Sequence, residues 1–256
     1  MYVFLKRMSY PSRLIDLEVF FGIETSVISR IVSKVLDILY EFRGILHWDH
    51  HRLTKETLTM YAEAIVSKKA PLNCVVGFID GTVRPIARPT RYQRSTYNGH
   101  KRVHALKFQS VSAPDGMIIH LSGPYVGRRH DTRMLRESKL SEALSKHMRL
   151  GDSTFVIYGD PAYGLENHII SPFRGANLTK PQELFNKRMS RVRVSVEWCF
   201  GSVLSNWAFI DFKKNLKVFL QPIGKLYVVA VLLQNFLTCY NGNMCSKSQR
   251  SCSFSS

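Results

Sequence analysis

The sequence predicts an α/β fold: a mixed sheet flanked by helices, preceded by a small helical region laid out as a helix-turn-helix. Three observations carry this. Two short apolar runs, Cys74–Ile79 and Phe155–Tyr158, read as buried strands, and each leads to an Asp beside a Gly. Val103–Ala113 and Met117–Ser122 flank the turn Pro114-Asp115-Gly116 and read as a β-hairpin. Stripes of helical period fill the chain before, between and after these strands.

Taken in order, Ser12 to Phe42 carries two apolar stripes. The first is Leu14, Leu17, Phe20 and Phe21; the second is Val27, Ile31, Val35, Ile38 and Leu39. Gly22 can stop the first helix, and Thr25 or Ser26 can cap a second over Ser26–Leu39. Its polar side bears Ser26, Ser29, Arg30, Ser33 and Lys34, suited to phosphate or base contact. An ordinary helical hairpin is the plainer reading of the same pattern. The chain starts almost inside this unit, as expected of a truncated helix-turn-helix. Leu53–Lys69 reads as a helix with Leu58, Tyr61, Ala62 and Ile65 on one face, ended by Pro71.

Residues 81–100 read as a basic loop with Arg84, Arg88, Arg91 and Arg94, continued by Lys101 and Arg102 and interleaved with Tyr92 and Tyr97. Arg133–Met148 reads as one helix. Glu183–Trp207 reads as a long helix with Phe185, Met189, Val192, Val196, Phe200, Val203 and Trp207 on one stripe. A last helix starts at Pro222 and ends near Tyr240. The expected organisation is a helix-turn-helix-like region at 1–46, a linker helix at 47–72, an α/β domain at 73–240 and a disordered polar tail at 241–256.

A chain of 256 residues with 45% hydrophobic content can bury a sizeable core. Its 36 Lys and Arg against 19 Asp and Glu give a net charge of +17, which attracts polyanions. Nucleic acid is the first partner this implies. An anionic membrane fits less well, because there is no lipid anchor or basic amphipathic helix. The apolar stretch Leu226–Leu233 is too short to span a bilayer and runs at once into Gln234 and Asn235. The five cysteines, at 74, 199, 239, 245 and 252, include no C-x-x-C pair. That argues against a disulfide framework or a zinc site and for a reducing compartment. Met1–Arg7 lacks the cleavage site of a signal peptide.

The chemistry rests on Asp80, Asp160 and Glu197. If the strands leading to Asp80 and Asp160 are neighbours, the two carboxylates converge, and a hard divalent cation relieves their repulsion. Glu197, at the edge of the long helix's apolar stripe, can supply a third. Three acids can hold two ions: one lowers the pKa of a water, and the other stabilises the leaving oxygen of a phosphodiester. Singly, each acid has a plainer reading. Asp80 and Asp160 can be turn residues, and Glu197 can pair with Arg193 one helical turn away. Asp131 in Gly127-Arg128-Arg129-His130-Asp131 reads first as an N-cap or helix charge and second as a metal ligand. Lys187, Arg188, Arg191 and Arg193 crowd the turns before Glu197. With the 81–100 segment they suit a nucleic-acid strand, or else form a solvated face. No G-x-S-x-G elbow is present.

These segments resemble the PIF/Harbinger-type DDE transposases and the nucleases derived from them. The matching runs are FIDGT around Asp80, GRRHDTRML around Asp131, YGDPAYG around Asp160 and RVRVSVEWCFG around Glu197. The closing YVVAVLLQNFLTC and the upstream FGIETSVISRIVSKV resemble the same family, so the likeness covers roughly residues 20 to 240. The resemblance implies an RNase H-like catalytic domain that cuts double-stranded DNA at transposon ends and then transfers strands. It implies two divalent ions, Mg²⁺ or Mn²⁺, on Asp80, Asp160 and Glu197, with Asp131 as a further candidate ligand. The gap between the last two acids, 197 − 160 = 37, is in the family's range. DNA contacts are expected from Arg30, Lys34, Arg91, Arg94, Lys101, Arg188, Arg191 and Arg193. A separate DNA-binding partner protein, homo-oligomers and a nuclear location are further implications. Trp198-Cys199 departs from relatives that carry a basic residue after the Glu. The alternative function is a domesticated or relic transposase that binds DNA without cutting it.

Overall fold

The computed structural model describes residues 1–164, 166–214 and 216–242, with the backbone alone for 195–199. Three helices come first: α1 (Tyr2–Ser9), α2 (Leu14–Phe21) and α3 (Thr25–Tyr40). The sequence reading has no counterpart of α1, whose stripe of Val3, Phe4 and Met8 is too short to stand out by periodicity. Gly22 ends α2 in the left-handed region at φ 65°, as expected, and its N–H bonds to the Glu18 carbonyl. The entry to α3 differs from expectation. Neither Thr25 nor Ser26 caps it; the Thr25 N–H donates to the Glu18 carboxylate at 3.1 Å, and Glu24 holds the cap position. The expected stripes also shift. Leu17, Ile28 and Leu36 are buried, whereas Phe20 is 66% and Ile38 52% exposed.

After a 3₁₀ stretch at Glu41–Leu46 comes α4 (Lys55–Ser67), capped by the Thr54 hydroxyl. Its buried residues are Leu58, Tyr61, Ala62 and Ile65, the face the periodicity marks. The sheet region follows: β1 (Val75–Pro85), α5 (Gln93–Thr96), β2 (Tyr97–Asn98), β3 (Val103–Ser112) and β4 (Ile118–Val126). The hairpin turn is where the sequence puts it, with Gly116 at φ 83°. Asp115 in that turn accepts from Arg52 and from the Tyr61 hydroxyl, which ties the hairpin to α4. Then come α6 (Asp131–Glu137), α7 (Leu140–His147), β5 (Arg149–Leu150), β6 (Ser153–Thr154), β7 (Val156–Gly159) and β8 (Ile169–Ile170). The chain continues through α8 (Lys180–Asn206) to α9 (Ile223–Tyr240).

Two further expectations are corrected. The segment read as a loop from residue 81 is strand as far as Pro85, because β3 is long enough to pair with all of it, from Phe78↔Ser112 to Pro85↔Ala105. Asp80-Gly81 therefore lies inside a ladder and not in a turn. The single helix expected over Arg133–Met148 is two, broken at Lys139 with φ 56°. The Ser138 hydroxyl accepts the Leu140 N–H across the break.

The main sheet runs β2-β3-β1-β7-β8, with β4 on β3. β1, β3 and β4 are antiparallel neighbours, while β7 lies parallel to β1 and β8 parallel to β7. This is the mixed sheet flanked by helices that the sequence predicts. One core contains Val75 and Phe78 of β1 together with residues of α1, α3, α8 and α9. The other contains Val76 and Ile79 with residues of α4, α6 and α7. The inward alternation skips one step at an irregularity between Val75 and Gly77. A Cβ on Gly77 would lie 2.8 Å from the Ser112 carbonyl oxygen, so only glycine fits there.

α9 is long and apolar enough to cross a membrane by length and composition, but 61% of it is buried in the fold. Its polar residues are engaged there. Asn235 accepts the Ile118 N–H at 3.0 Å and donates to the Ile118 carbonyl at 2.8 Å, so one carboxamide does for β4 what a neighbouring strand's peptide would. Residues 243–256, read as a tail from the sequence, lie outside the described residues.

Candidate active site

Two strands place the first two acids. In the parallel pairing Ile79 lies opposite Gly159, so Asp80 and Asp160, one residue further on each chain, continue as neighbours. β1 carries on past this point while β7 ends, and Asp160 begins a 3₁₀ turn at Pro161–Tyr163 by accepting the Ala162 N–H at 2.8 Å. Asp80 accepts the Gly81 N–H at 2.8 Å. Gly159 permits this close approach, since a Cβ there would meet the Ile79 Cγ2 at 2.7 Å.

The strand period puts Asp80 on the Phe78 side of the sheet, against which α8 packs. α8 starts three residues earlier than its periodicity indicates, because Thr179 and Gln182 form a capping box with Pro181 in the first turn. From this helix Arg193 reaches down between the acids. Its Nη2 is 3.2 Å from Asp80 Oδ1, and its Nη1 is 3.7 Å from Asp160 Oδ2. The sequence offered Arg193 as a DNA contact or as the partner of Glu197; the structure sets its guanidinium on the acid pair. Glu197 lies on α8 one turn further along, and its side chain is outside the described residues.

Burial pushes the Asp80 carboxyl above its ordinary range. Arg193 and the Gly81 N–H pull the other way, and Asp160 adds to the rise. Two hard oxygen donors converging on a single cation are a donor set that suits Mg²⁺ or Mn²⁺. Among the described residues no group of three or more His, Cys, Asp or Glu side chains is gathered for a metal.

Asp131 lies on the other side of β1. It is the first residue of α6, following His130 at the cap, so it fits the helix-charge reading. Its carboxylate is ion-paired with Lys107 of β3, which also donates to the Arg129 carbonyl at 2.8 Å. The missing side chain of Gly81 makes room: a Cβ there would be 3.2 Å from Asp131 Oδ1 and 3.5 Å from the Tyr163 hydroxyl. Tyr163 is 2% exposed, and its hydroxyl has no hydrogen-bond partner among the described residues. Burial, then Asp131, Asp80 and Asp160, drive that hydroxyl's pKa upward.

Lys107 and Tyr163 were missed at the sequence level. Lys107 left a signal, as a lone cation in the buried strand run Ala105-Leu106-Lys107-Phe108 must find a partner. Of the expected DNA contacts, Arg30, Lys34, Arg91, Arg94, Lys101, Arg188 and Arg191 are exposed to solvent. They are spread over α3, the α5 region, the β2–β3 turn and α8.

A mixed sheet flanked by helices is an arrangement consistent with a DDE nuclease fold. The DDE superfamily endonuclease family matches residues 79–235, from the end of β1's apolar run into α9, and the chain belongs to that family. A probable transposase for insertion sequence element IS702 from Microchaete diplosiphon is 29% identical over 178 residues, which cover 69% of this chain and 58% of that protein. Protein ALP1-like from Arabidopsis thaliana is 23% identical over 223 residues, 82% of this chain and 53% of that protein. The chain thus spans little more than half the length of these curated relatives. No solved structure matches it.

Proposed function

We propose that this protein is a DNA endonuclease of the transposase kind, of the PIF/Harbinger type within its family. It hydrolyses phosphodiester bonds with two divalent ions at Asp80, Asp160 and Glu197. The observation that carries this reading is the convergence of Asp80 and Asp160 on a single cationic group at the end of β7. Family membership supports a nuclease, and the charge of +17 supports a polyanionic substrate.

Asp80 and Asp160 would hold the ions, with Glu197 completing the set from α8. When bound, Mg²⁺ or Mn²⁺ supplies the positive charge that activates a water and stabilises the leaving oxygen. The chain's own residues set the geometry. The Gly81 and Ala162 N–H groups each fix one carboxylate oxygen of their acid. Arg193 offsets one of the two negative charges and keeps a cation between the acids. Arg30 and Lys34 on α3, and Arg188 and Arg191 on α8, contact the DNA backbone in this reading. A nuclear location, a separate DNA-binding partner protein and a homo-oligomer belong to the same proposal.

The test is nicking of supercoiled plasmid with Mg²⁺ or Mn²⁺ by wild type, Asp80→Asn and Glu197→Gln. Metal-dependent nicking lost in both variants is expected. Nicking undiminished by Asp80→Asn would sink the assignment. DNA binding without nicking by folded wild type would point to the non-catalytic relative.

A further inference from the structure

The continuation of β1 beyond the acid pair leads to a second feature with a distinct chemistry. A cleft of about 480 Å³ opens at the far end of the strand, lined by Ile86, Arg88, Arg102, His104, Lys213 and Lys214, among others. Arg88, Arg102, Lys213 and Lys214 are exposed. None of the four is in an ion pair with a described carboxylate, and among the described residues no acid lines the cleft.

The frame beneath these cations is fixed. The Ile86 N–H bonds to the His104 carbonyl at 2.9 Å, and the Ala87 N–H bonds to the Leu216 carbonyl at 3.0 Å. Ile86, Leu216 and Ile223 form a small buried cluster below. Gln93 Oε1 accepts from Nε and Nη2 of Arg88, at 3.0 and 2.8 Å, and so orients that guanidinium. Arg102 holds φ 54° at the end of the β2–β3 turn, a conformation most side chains avoid. Like charges gathered on a fixed frame without counter-charges repel one another, and a polyanion relieves that repulsion.

From Asp80 to Pro85 the strand advances five residues, about 17 Å at ~3.3 Å per residue. Duplex DNA repeats its phosphates every ~3.4 Å along each strand. A duplex whose backbone reaches both the acids and the cleft therefore spans about five phosphates between them. We propose that this cleft is a second DNA contact, gripping the duplex backbone that flanks the cleavage point. The inference rests on the nuclease reading above for its partner, and on the cleft's own charge and frame for its place.

The test uses fluorescence anisotropy of a labelled random-sequence 30-base-pair duplex titrated with the full chain over a range of salt. Lys213→Gln/Lys214→Gln is compared with Lys68→Gln/Lys146→Gln, which removes the same charge from exposed sites elsewhere. Each lost phosphate contact removes ~0.9 from the salt slope, so the cleft variant should lose ~1.8 and bind roughly tenfold or more weakly at 0.15 M salt. The control should stay within about threefold of wild type, because it loses only long-range attraction. Arg102→Gln should lower the slope by ~0.9 and guards against misfolding of the double variant. Equal binding by the cleft and control variants overturns the cleft while leaving the nuclease reading in place. A wild type that binds no duplex at any salt overturns both.

Discussion

Arg193 of α8 and Asp80 of β1 are ion-paired, with 3.2 Å between Nη2 and Oδ1. The same guanidinium lies 3.7 Å from Asp160, so one helix supplies the cation that lets two carboxylates sit side by side. Removing it leaves the two acids facing each other. Arg193→Gln should cost about 1–2 kcal/mol without divalent metal, a modest loss because Asp160 is 43% exposed and solvent screens it. That corresponds to a fall in Tm of roughly 2–8 °C for a chain of this size. Saturating Mn²⁺ should raise the variant's Tm more than the wild type's, since the ion replaces the missing charge. An unchanged melting point, with no extra gain from Mn²⁺, would show that Arg193 does not neutralise the pair.

Lys107 and Asp131 make a second, more enclosed pair, with side chains 9% and 30% exposed. Lys107→Met strands a carboxylate against β1 and should cost ~3 kcal/mol. Adding Asp131→Asn removes that charge and should recover part of the loss. Urea unfolding of the single and double variants measures the coupling. A double variant no more stable than Lys107→Met would contradict the pairing.

His120 of β4 is 3% exposed, and its Nδ1 has no hydrogen-bond partner among the described residues. Burial, helped by His47, pushes its pKa down to about 3. The folded state thus holds the ring neutral, while the unfolded chain takes up a proton near pH 6.5. The resulting stability is fully present above about pH 6.5 and is lost as pH falls toward 3, by up to ~1.4 kcal/mol per unit. His120→Gln should flatten this limb of the stability curve. A variant whose stability falls as steeply as wild type's between pH 6.5 and 4 would assign the acid loss to other groups.

The differences between what the sequence foretold and what the structure contains have physical causes. α4's buried face was readable because four apolar residues repeat at helical spacing over a run long enough to show it. The hairpin was readable because Pro114-Asp115-Gly116 is a turn by local chemistry alone. The extension of β1 to Pro85 was not readable. An Asp-Gly inside a strand looks like a turn until a partner as long as β3 pairs with it. Lys139 at φ 56° breaks an amphipathic run that periodicity alone treats as continuous.

What the sequence determined by itself is the set of ingredients. Two apolar runs lead to Asp80 and Asp160, a helix carries Arg193 and Glu197, and the excess of positive charge suits a polyanion. These are local patterns and sums, and each acid in isolation had a plainer reading as a turn residue or surface charge. Tertiary structure decided which ingredients meet. The parallel register of β1 and β7 put Asp80 beside Asp160, and the packing of α8 on that face delivered Arg193 to both. The packing of α6 put Asp131 on the opposite side of β1, against Gly81, where Lys107 claims it. Register and face depend on partners distant in the chain, so no local pattern encodes them.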